Sequence, residues 1–282
     1  MREFFESTAA YWQEVYRRDD LVSVIYQERR AVVLSVVDRL PIPPRSNVLE
    51  IGCGAGSTSI ALAQRGHAVN ATDIAAPMLE RTRKLADEAG VGQFIETNQC
   101  DTHHLPFPDR SFNLVMAIGV LPWLSSPLES MREMVRVLQP GGYLIVTVDN
   151  RYRLSYALHP LAWARLVGIR RSYLRRFRKR HRIPPSTTCS VHDFDALLPA
   201  LGLEKLWGAT LGFGPFCLLN RVLPQAFGVK LHHALQALAD RRVPLIRSAG
   251  AHYITLSGKK VDGADVQSRS QRPQSQRIPA PN

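Results

Sequence analysis

A cluster of glycines near residue 50 has the spacing of a ligand-binding loop. It reads Glu50-Ile-Gly52-Cys53-Gly54-Ala-Gly56 and follows a short apolar segment. Glycine lets the main chain approach a ligand closely, and the start of a following helix offers free N–H groups. Dinucleotide-binding loops prefer the pattern G-x-G-x-x-G, which would place the third glycine at position 57, where this chain has Ser57. Glu50 would also crowd a pyrophosphate, whereas it suits an amine.

Two carboxylates further along the chain are placed to recognise a nucleoside. Asp73 lies 17 residues after Gly56, where a second strand is predicted to end, and Asp101 follows the third predicted strand. A carboxylate can accept both hydroxyl protons of a ribose, and Asp101 could accept a hydrogen bond from an adenine amino group. A glycine turn beside an unrelated surface carboxylate is the alternative, and the order strand–loop–helix–strand–Asp argues against it.

Alternating strands and helices must position these side chains. We predict five strands, separated by helices at 57–65, 77–89 and 127–138; the strands are 47–51, 67–72, 93–99, 112–118 and 143–148. Such alternation forms a parallel sheet with right-handed crossovers, whose ligands bind at the carboxyl ends of the strands. A helical segment over 3–40 precedes the sheet, and further strands are predicted at 203–211 and 253–257.

Four motifs in this region resemble those of a known family. They are V-L-E-I-G-C-G-A-G at 48–56, T-D-I at 72–74, D-T-x-x-L-P-F-P-D-x-S-F-N at 101–113 and R-V-L-Q-P-G-G at 136–142. The sequence resembles the class I S-adenosylmethionine (SAM)-dependent methyltransferases, in the branch that includes the ubiquinone and menaquinone biosynthesis enzymes (methyltransferase type 11). The resemblance implies an α/β, three-layer Rossmann-like fold. Its seven-stranded sheet is mostly parallel with an antiparallel last strand, and a helical cap is added.

The resemblance also implies which residues contact SAM, the one cofactor we expect. Gly52 and Gly54 would line its methionine part, Asp73 would hold the ribose hydroxyls, and Ile118 would lie beside the sulfonium. The complete predicted cofactor set is Glu50, Gly52, Cys53, Gly54, Gly56, Asp73, Ile74, Met78, Asp101, Thr102 and Ile118. Arg29 or Arg30 could contact the SAM carboxylate, with a solvated surface position as the alternative. No metal site is predicted, because the four cysteines lack ligand spacing.

Histidines are the candidate catalytic bases, because an oxygen acceptor usually needs one near neutral pH. His104 follows the adenine-side Asp101, and His192 lies on the side where the acceptor should enter; His103 is a further candidate. A surface or structural role is the alternative for each. A carbon acceptor on an activated ring needs less help from a base.

The net charge of +12 is concentrated in one segment. No acidic residue lies between 150 and 192, and Arg151–Arg182 carries 11 of the 36 Lys and Arg residues, so the remainder is near neutral. This excludes a uniformly basic, histone-like or ribosomal chain. The family builds its substrate cap at this position, and arginines alternating with aromatic residues suit an anionic lipid surface. A solvated arginine face or binding to acidic polymers are the alternatives.

Together these features predict a SAM-dependent methyltransferase that acts on a small, hydrophobic or lipid-linked acceptor. The alternatives are an RNA or protein methyltransferase and a non-enzymatic SAM-binding protein; the sequence Ile118–Trp123 lacks an N-P-P-Y-like motif, which argues against nucleic acid. We expect a cytoplasmic location, with peripheral contact to the inner membrane face. The predicted segments are 1–46 (N-terminal helical segment), 47–150 (SAM-binding core), 151–192 (basic amphipathic cap insert), 193–260 (C-terminal part of the sheet) and 261–282 (disordered tail).

Overall fold

The structure of the chain, a computed structural model, describes residues 2–157, 187–218 and 221–261. Residues 158–186 of the predicted cap and 262–282 of the predicted tail lie outside these ranges. None of the helices in the described part of the chain is long and apolar enough to cross a membrane.

The strands form one mixed sheet that matches the predicted fold class. They are β1 (Asn47–Ile51), β2 (Ala68–Asp73), β3 (Ile95–Gln99), β4 (Phe112–Ala117), β5 (Leu138–Asn150), β6 (Thr188–Cys189), β7 (Leu203–Leu211), β8 (Cys217–Leu218), β9 (Arg221–Val222) and β10 (His252–Lys259). The main order is β3-β2-β1-β4-β5-β10-β7. The first five strands are parallel to one another, and β10 runs antiparallel between β5 and β7. The short β6 pairs in parallel with the last two residues of β5, and β8 pairs with β9 in a separate two-stranded sheet.

Helices cover both faces of the sheet. They are α1 (Arg2–Ser7), α2 (Ala9–Glu14), α3 (Leu21–Val37), α4 (Ser57–Gln64), α5 (Ala76–Glu88), α6 (Pro127–Val137), α7 (Leu154–Ala157), α8 (Val191–Leu197) and α9 (Gln225–Asp240). Alternate residues of a strand point to opposite faces. Val48 and Met116 therefore pack with Leu62 on one side, while Leu49 and Met134 belong to the core on the other.

Two predicted boundaries are corrected by the structure. The predicted helical segment 3–40 is divided into three helices, the last of which ends at Val37, and α3 begins where the Asp20 side chain accepts a hydrogen bond from the Ser23 N–H at 3.1 Å. Strand β5 begins at Leu138 rather than at Tyr143. The Pro-Gly-Gly sequence is absorbed in a break of register between β4 and β5, where Asn113 donates to the Gln139 side chain at 3.0 Å.

Arg136 fixes the long motif between β3 and β4. Its guanidinium donates to the carbonyls of Leu105 and Phe107 at 2.9 and 2.8 Å and pairs with Asp109 and Glu133 at 2.7 and 2.8 Å. These bonds explain why an arginine on α6 accompanies the L-P-F-P-D sequence. The motif forms the crossover from the end of β3 to the start of β4.

Candidate functional site

A cavity of about 710 Å³ lies at the carboxyl ends of β1, β2, β4 and β5. Ten of the eleven residues predicted to contact the cofactor line it, and Gly56 is the exception. Gly56 begins α4 with a φ of 77°, and a Cβ there would lie 2.5 Å from the Thr82 Cγ2. Gly56 therefore lacks a side chain because α4 packs closely on α5 at this point.

The glycine loop after β1 leaves an open cradle. Gly52 and Gly54 have φ values of 67° and 56°, in the left-handed region that favours glycine. A Cβ on Gly52 would lie 2.4 Å from the Val120 side chain, whereas a Cβ on Gly54 would meet no atom within 4 Å. Since Gly54 lines the cavity, a side chain there would enter the space that a ligand needs. This geometry fits a ligand that lies directly on the main chain.

Asp73 connects the first two loops of the site. Its Oδ2 accepts a hydrogen bond from the Gly54 N–H at 3.0 Å, and its Oδ1 accepts one from the Ala75 N–H at 2.9 Å. Burial raises the pKa of this carboxyl, and the N–H groups of Ala75, Gly54 and Ile74 oppose that rise. The side chain is thereby held rigidly against the cavity, as recognition of a ribose diol requires.

Glu50 is the most deeply buried acid of the site. It is 3% exposed, and burial raises its pKa to about 7 despite a hydrogen bond from the Ser59 hydroxyl. Burial also raises the pKa of the neighbouring Cys53 thiol well above its ordinary value. A carboxylate that is this poorly solvated gains most from a cationic partner such as a ligand amine.

The loop after β3 also lines the cavity. Asp101 accepts hydrogen bonds from the His103 N–H at 3.0 Å and from the His103 Nδ1 at 2.6 Å. The Thr102 hydroxyl donates to Ser130 on α6 at 2.6 Å, so this hydroxyl is directed towards the protein. Both residues line the cavity, together with Ile74, Met78 and Ile118. The predicted adenine side is therefore assembled from loops that follow neighbouring strands.

The N-terminal helices contribute an aromatic wall; of the two aromatic residues that the sequence suggested for such a wall, Trp123 lines the cavity and Tyr11 does not. Phe5, Trp12, Tyr16 and Tyr26 all line the cavity, and Trp123 packs against Phe5 with ring centroids 5.7 Å apart. A sequence signal for the helical part of this wall was present, because the cavity-lining Val22, Ile25, Tyr26 and Arg29 recur at the three-to-four spacing of one helix face.

Arg29 brings a buried positive charge to the cavity. The residue is 5% exposed, its guanidinium lies 4.5 Å from the centroid of the Tyr26 ring, and a Cβ on Gly119 would be 3.1 Å from its Nη2. Arg30 also lines the cavity but donates from Nη2 to the Ser57 carbonyl at 2.7 Å. Of the two arginines suggested by the sequence, Arg29 thus has the geometry suited to an anionic group in the cavity.

Of the three histidines suggested as bases, His103 lines this cavity, whereas His104 and His192 do not. The role of His104 and His192 as bases therefore stays a prediction without geometric support. His252, which also lines the cavity, and its neighbour Asp149 were missed because they belong to separate strands.

One histidine cluster outside the cavity has the composition of a metal site. Glu28, His232 and His233 place their side-chain ligand atoms within 4.8 Å of one another. The Phe213 N–H donates to the His232 Nδ1 at 3.1 Å, so a neutral imidazole carries its proton on Nε2, which contacts Glu28 at 2.8 Å. A protonated Nε2 cannot ligate a metal. The cluster joins α3 to α9 by hydrogen bonds.

The fold and the site define a class of protein that binds a nucleoside-containing ligand at the carboxyl edge of a Rossmann-like sheet. Residues 49–146 match the family described as Methyltransferase domain (Methyltransf_11). Residues 49–146 therefore form a methyltransferase domain, in agreement with the sequence motifs, and SAM is the cofactor that this agreement leads us to expect.

Relatives of known description agree on methyl transfer and differ in acceptor. The tRNA 5-carboxymethoxyuridine methyltransferase of Escherichia coli is 31% identical over 135 residues, covering 45% of this chain and 51% of that protein. Demethylmenaquinone methyltransferase of Chlamydia trachomatis is 35% identical over 121 residues (41% and 51%), and methyltransferase GfsG of Streptomyces halstedii is 29% identical over 226 residues (70% and 79%). The chain thus spans about half the length of the first two relatives. Because they include tRNA and quinone enzymes, they leave the acceptor class open.

A solved structure supports the fold. Magnesium protoporphyrin IX methyltransferase from Synechocystis, crystallised with bound S-adenosylhomocysteine (SAH), superimposes with a TM-score of 0.58 at 17% identity. The match covers 92% of this chain and 98% of that one.

Proposed function

We propose that this chain transfers the methyl group of SAM to a small, hydrophobic or lipid-linked acceptor. The observation that carries the proposal is that one cavity is lined both by the glycine loop, where we place the cofactor, and by the aromatic residues of the N-terminal helices. Its volume of about 710 Å³ falls within the range of small-molecule sites.

The chain's own contribution to this reaction would be positioning. When bound, SAM supplies an electrophilic methyl group on a sulfonium. Gly52 and Gly54 give the ligand access to the main chain, Asp73 is oriented to hold a ribose, and Arg29 offers a cation for the carboxylate. Fixing donor and acceptor in line removes much of the entropic barrier of a two-substrate displacement.

The proposed acceptor class follows from the walls of the cavity and from the place where the basic segment joins it. Arg153 lines the cavity shortly before residues 158–186, and the Thr187 N–H donates to the carbonyl of the cavity-lining Pro122 at 2.6 Å after them. The basic segment therefore leaves and rejoins the described chain beside the cavity. We propose that it approaches the acceptor or an anionic membrane surface that carries it, from the cytoplasmic side.

RNA or protein methylation is the second candidate. It is favoured by the basic composition of Arg151–Arg182 and by the similarity to a tRNA methyltransferase. A folded RNA would have to deliver one nucleotide into the aromatic cavity, since sequence-specific RNA readers typically splay bases out onto aromatic side chains.

Binding assays at two salt concentrations separate these candidates. We expect the chain to bind vesicles containing anionic lipid, and we expect Arg175→Gln/Arg176→Gln to weaken that binding. Arg83→Gln/Lys84→Gln on α5 is the matched control, because it removes the same charge away from the basic segment. Tight, salt-sensitive binding of tRNA without binding of vesicles would favour the second candidate. Absence of SAM binding in calorimetry would contradict both.

A further inference from the structure

Asp149 and His252 form a hydrogen-bonded pair at the edge of the cavity. They face each other across the antiparallel pairing of β5 and β10, with the His252 Nδ1 3.1 Å from the Asp149 Oδ1. An ionised carboxylate only accepts hydrogen bonds, so the Nδ1 carries the proton. The neutral ring then has its lone pair on Nε2, the nitrogen that remains for a ligand. Both residues line the cavity.

The surroundings of the pair keep the imidazole neutral. Burial lowers the pKa of His252, and the positive charges of Arg29 and Arg153 lower it further, while Asp149 opposes the shift. Tyr26 packs against the ring with centroids 5.9 Å apart. The His252 imidazole is therefore neutral at neutral pH. A general base must be neutral so that it can accept a proton.

The position of the ring is fixed by close packing. Gly212, with a φ of 85°, lies beside it, and a Cβ there would be 3.4 Å from the His252 Cδ2 and 2.7 Å from the Ile25 Cγ2. A larger residue would therefore displace the Ile25 side chain of α3, whereas the imidazole would remain in ordinary van der Waals contact. The imidazole lies beside this glycine at the cavity, and the His252 side chain keeps 13% exposure.

We propose that His252, oriented by Asp149, is the general base that removes the proton from a hydroxyl group of the acceptor. This inference rests on the proposed methyl transfer and deepens it, because it makes the acceptor a hydroxyl compound and the product a methyl ether.

The proton and electron balance of the step is complete. The acceptor oxygen forms a bond to the methyl carbon as the carbon–sulfur bond breaks, and the sulfur keeps that electron pair as a neutral thioether. The hydroxyl proton passes to the His252 Nε2. Asp149 stabilises the imidazolium through its hydrogen bond, and the proton then leaves to solvent. No oxidant or further reactant is needed.

His103 is the competing base, since it also lines the cavity and contacts an aspartate. Its partner Asp101 is 55% exposed and accepts the His103 N–H as well, which is the pattern of a local turn. Asp101 and His103 also follow β3, which forms one edge of the main sheet, whereas β10 lies beside β7 at the other edge. The geometry therefore assigns this pair to the cofactor side.

The first test compares wild-type protein with His252→Gln and Asp149→Asn, and with the exposed His233→Gln as control. We expect SAM affinity by calorimetry to agree within about twofold among all four proteins. Failure of the wild type to bind SAM would contradict the proposed function itself, separately from the assignment of the base.

The second test is independent of turnover. Nitrogen-15 NMR of histidine-labelled protein should show a neutral His252 protonated on Nδ1, with its titration midpoint below the ordinary histidine value. Asp149→Asn should weaken this tautomer preference and lower the midpoint. A ring protonated on Nε2 at neutral pH would overturn the proposal, because that nitrogen could not accept a proton.

The third test uses two hydroxyl probes of different acidity. Decyl hydroquinone is un-ionised at neutral pH, whereas 4-nitrocatechol is largely ionised. With the hydroquinone, His252→Gln should lower kcat by about 10²- to 10⁴-fold, while the loss with 4-nitrocatechol should be much smaller. Equal losses for both probes, or a selective loss in His103→Gln in place of His252→Gln, would refute the assignment.

Discussion

Replacement of Asp73 by alanine tests the cofactor site most directly. Its carboxylate is partly buried, and two backbone N–H groups, from Gly54 and Ala75, hold it in place at 3.0 and 2.9 Å. The remaining lone pairs face the cavity, where they can accept the two hydroxyl protons of a ribose. Removal of one partner from a buried hydrogen bond costs about 1–3 kcal/mol, because the group that remains is left unsatisfied.

We therefore expect Asp73→Ala to weaken SAM binding by about 1–3 kcal/mol in total, which corresponds to about a 5- to 150-fold higher Kd. The assay is calorimetric titration with SAM at constant pH and salt. Asp109→Ala is the control, because that carboxylate is exposed and lies outside the cavity. Urea denaturation of each variant shows whether the protein is still folded. An unchanged Kd in folded Asp73→Ala would show that the ribose assignment is wrong.

Two further predictions concern stability. Glu50 has its folded-state pKa raised to about 7 from an ordinary 4.5, so the native protein holds a proton that the unfolded chain releases. The stabilisation of the folded state by this bound proton is fully present below pH 4.5 and is lost as the pH rises towards 7. The free energy of unfolding of the wild type, measured by urea denaturation, should therefore fall by up to about 3 kcal/mol relative to Glu50→Gln across that interval. The same pH dependence in both proteins would contradict the burial of Glu50. Arg136→Met should lower the free energy of unfolding by about 1–3 kcal/mol, because the Leu105 and Phe107 carbonyls lose their donor. Arg132→Met, on the exposed side of α6, is the control. An equal fall in its free energy of unfolding would refute the stabilising role given to the contacts of Arg136 with the two carbonyls.

The sequence determined the parts of the site that local order controls. The apolar run of β1, the glycines after it and Asp73 at the end of β2 are consecutive features of one strand–loop–helix–strand unit. Their geometry follows from short-range constraints, such as the positive φ of Gly52 and Gly54. The family motifs extended this reading to Asp101 and Ile118, since parallel strands bring their carboxyl ends to one edge.

Element boundaries were less predictable, for physical reasons. Pro140-Gly-Gly reads as a turn, and it becomes part of β5 because pairing with β4 tolerates a break of register there. The N-terminal helical pattern did not reveal its division, which depends on the Asp20 cap at the start of α3.

Only the tertiary structure decided how the acceptor side is built. Asp149 and His252 are more than a hundred residues apart and meet because β10 inserts antiparallel beside β5. The aromatic wall likewise depends on where the N-terminal helices pack, which no local pattern specifies. The sequence therefore predicted the residues of the proposed cofactor half of the cavity, where contacts are local. Long-range strand pairing and helix packing fixed the half in which the acceptor and its base would meet.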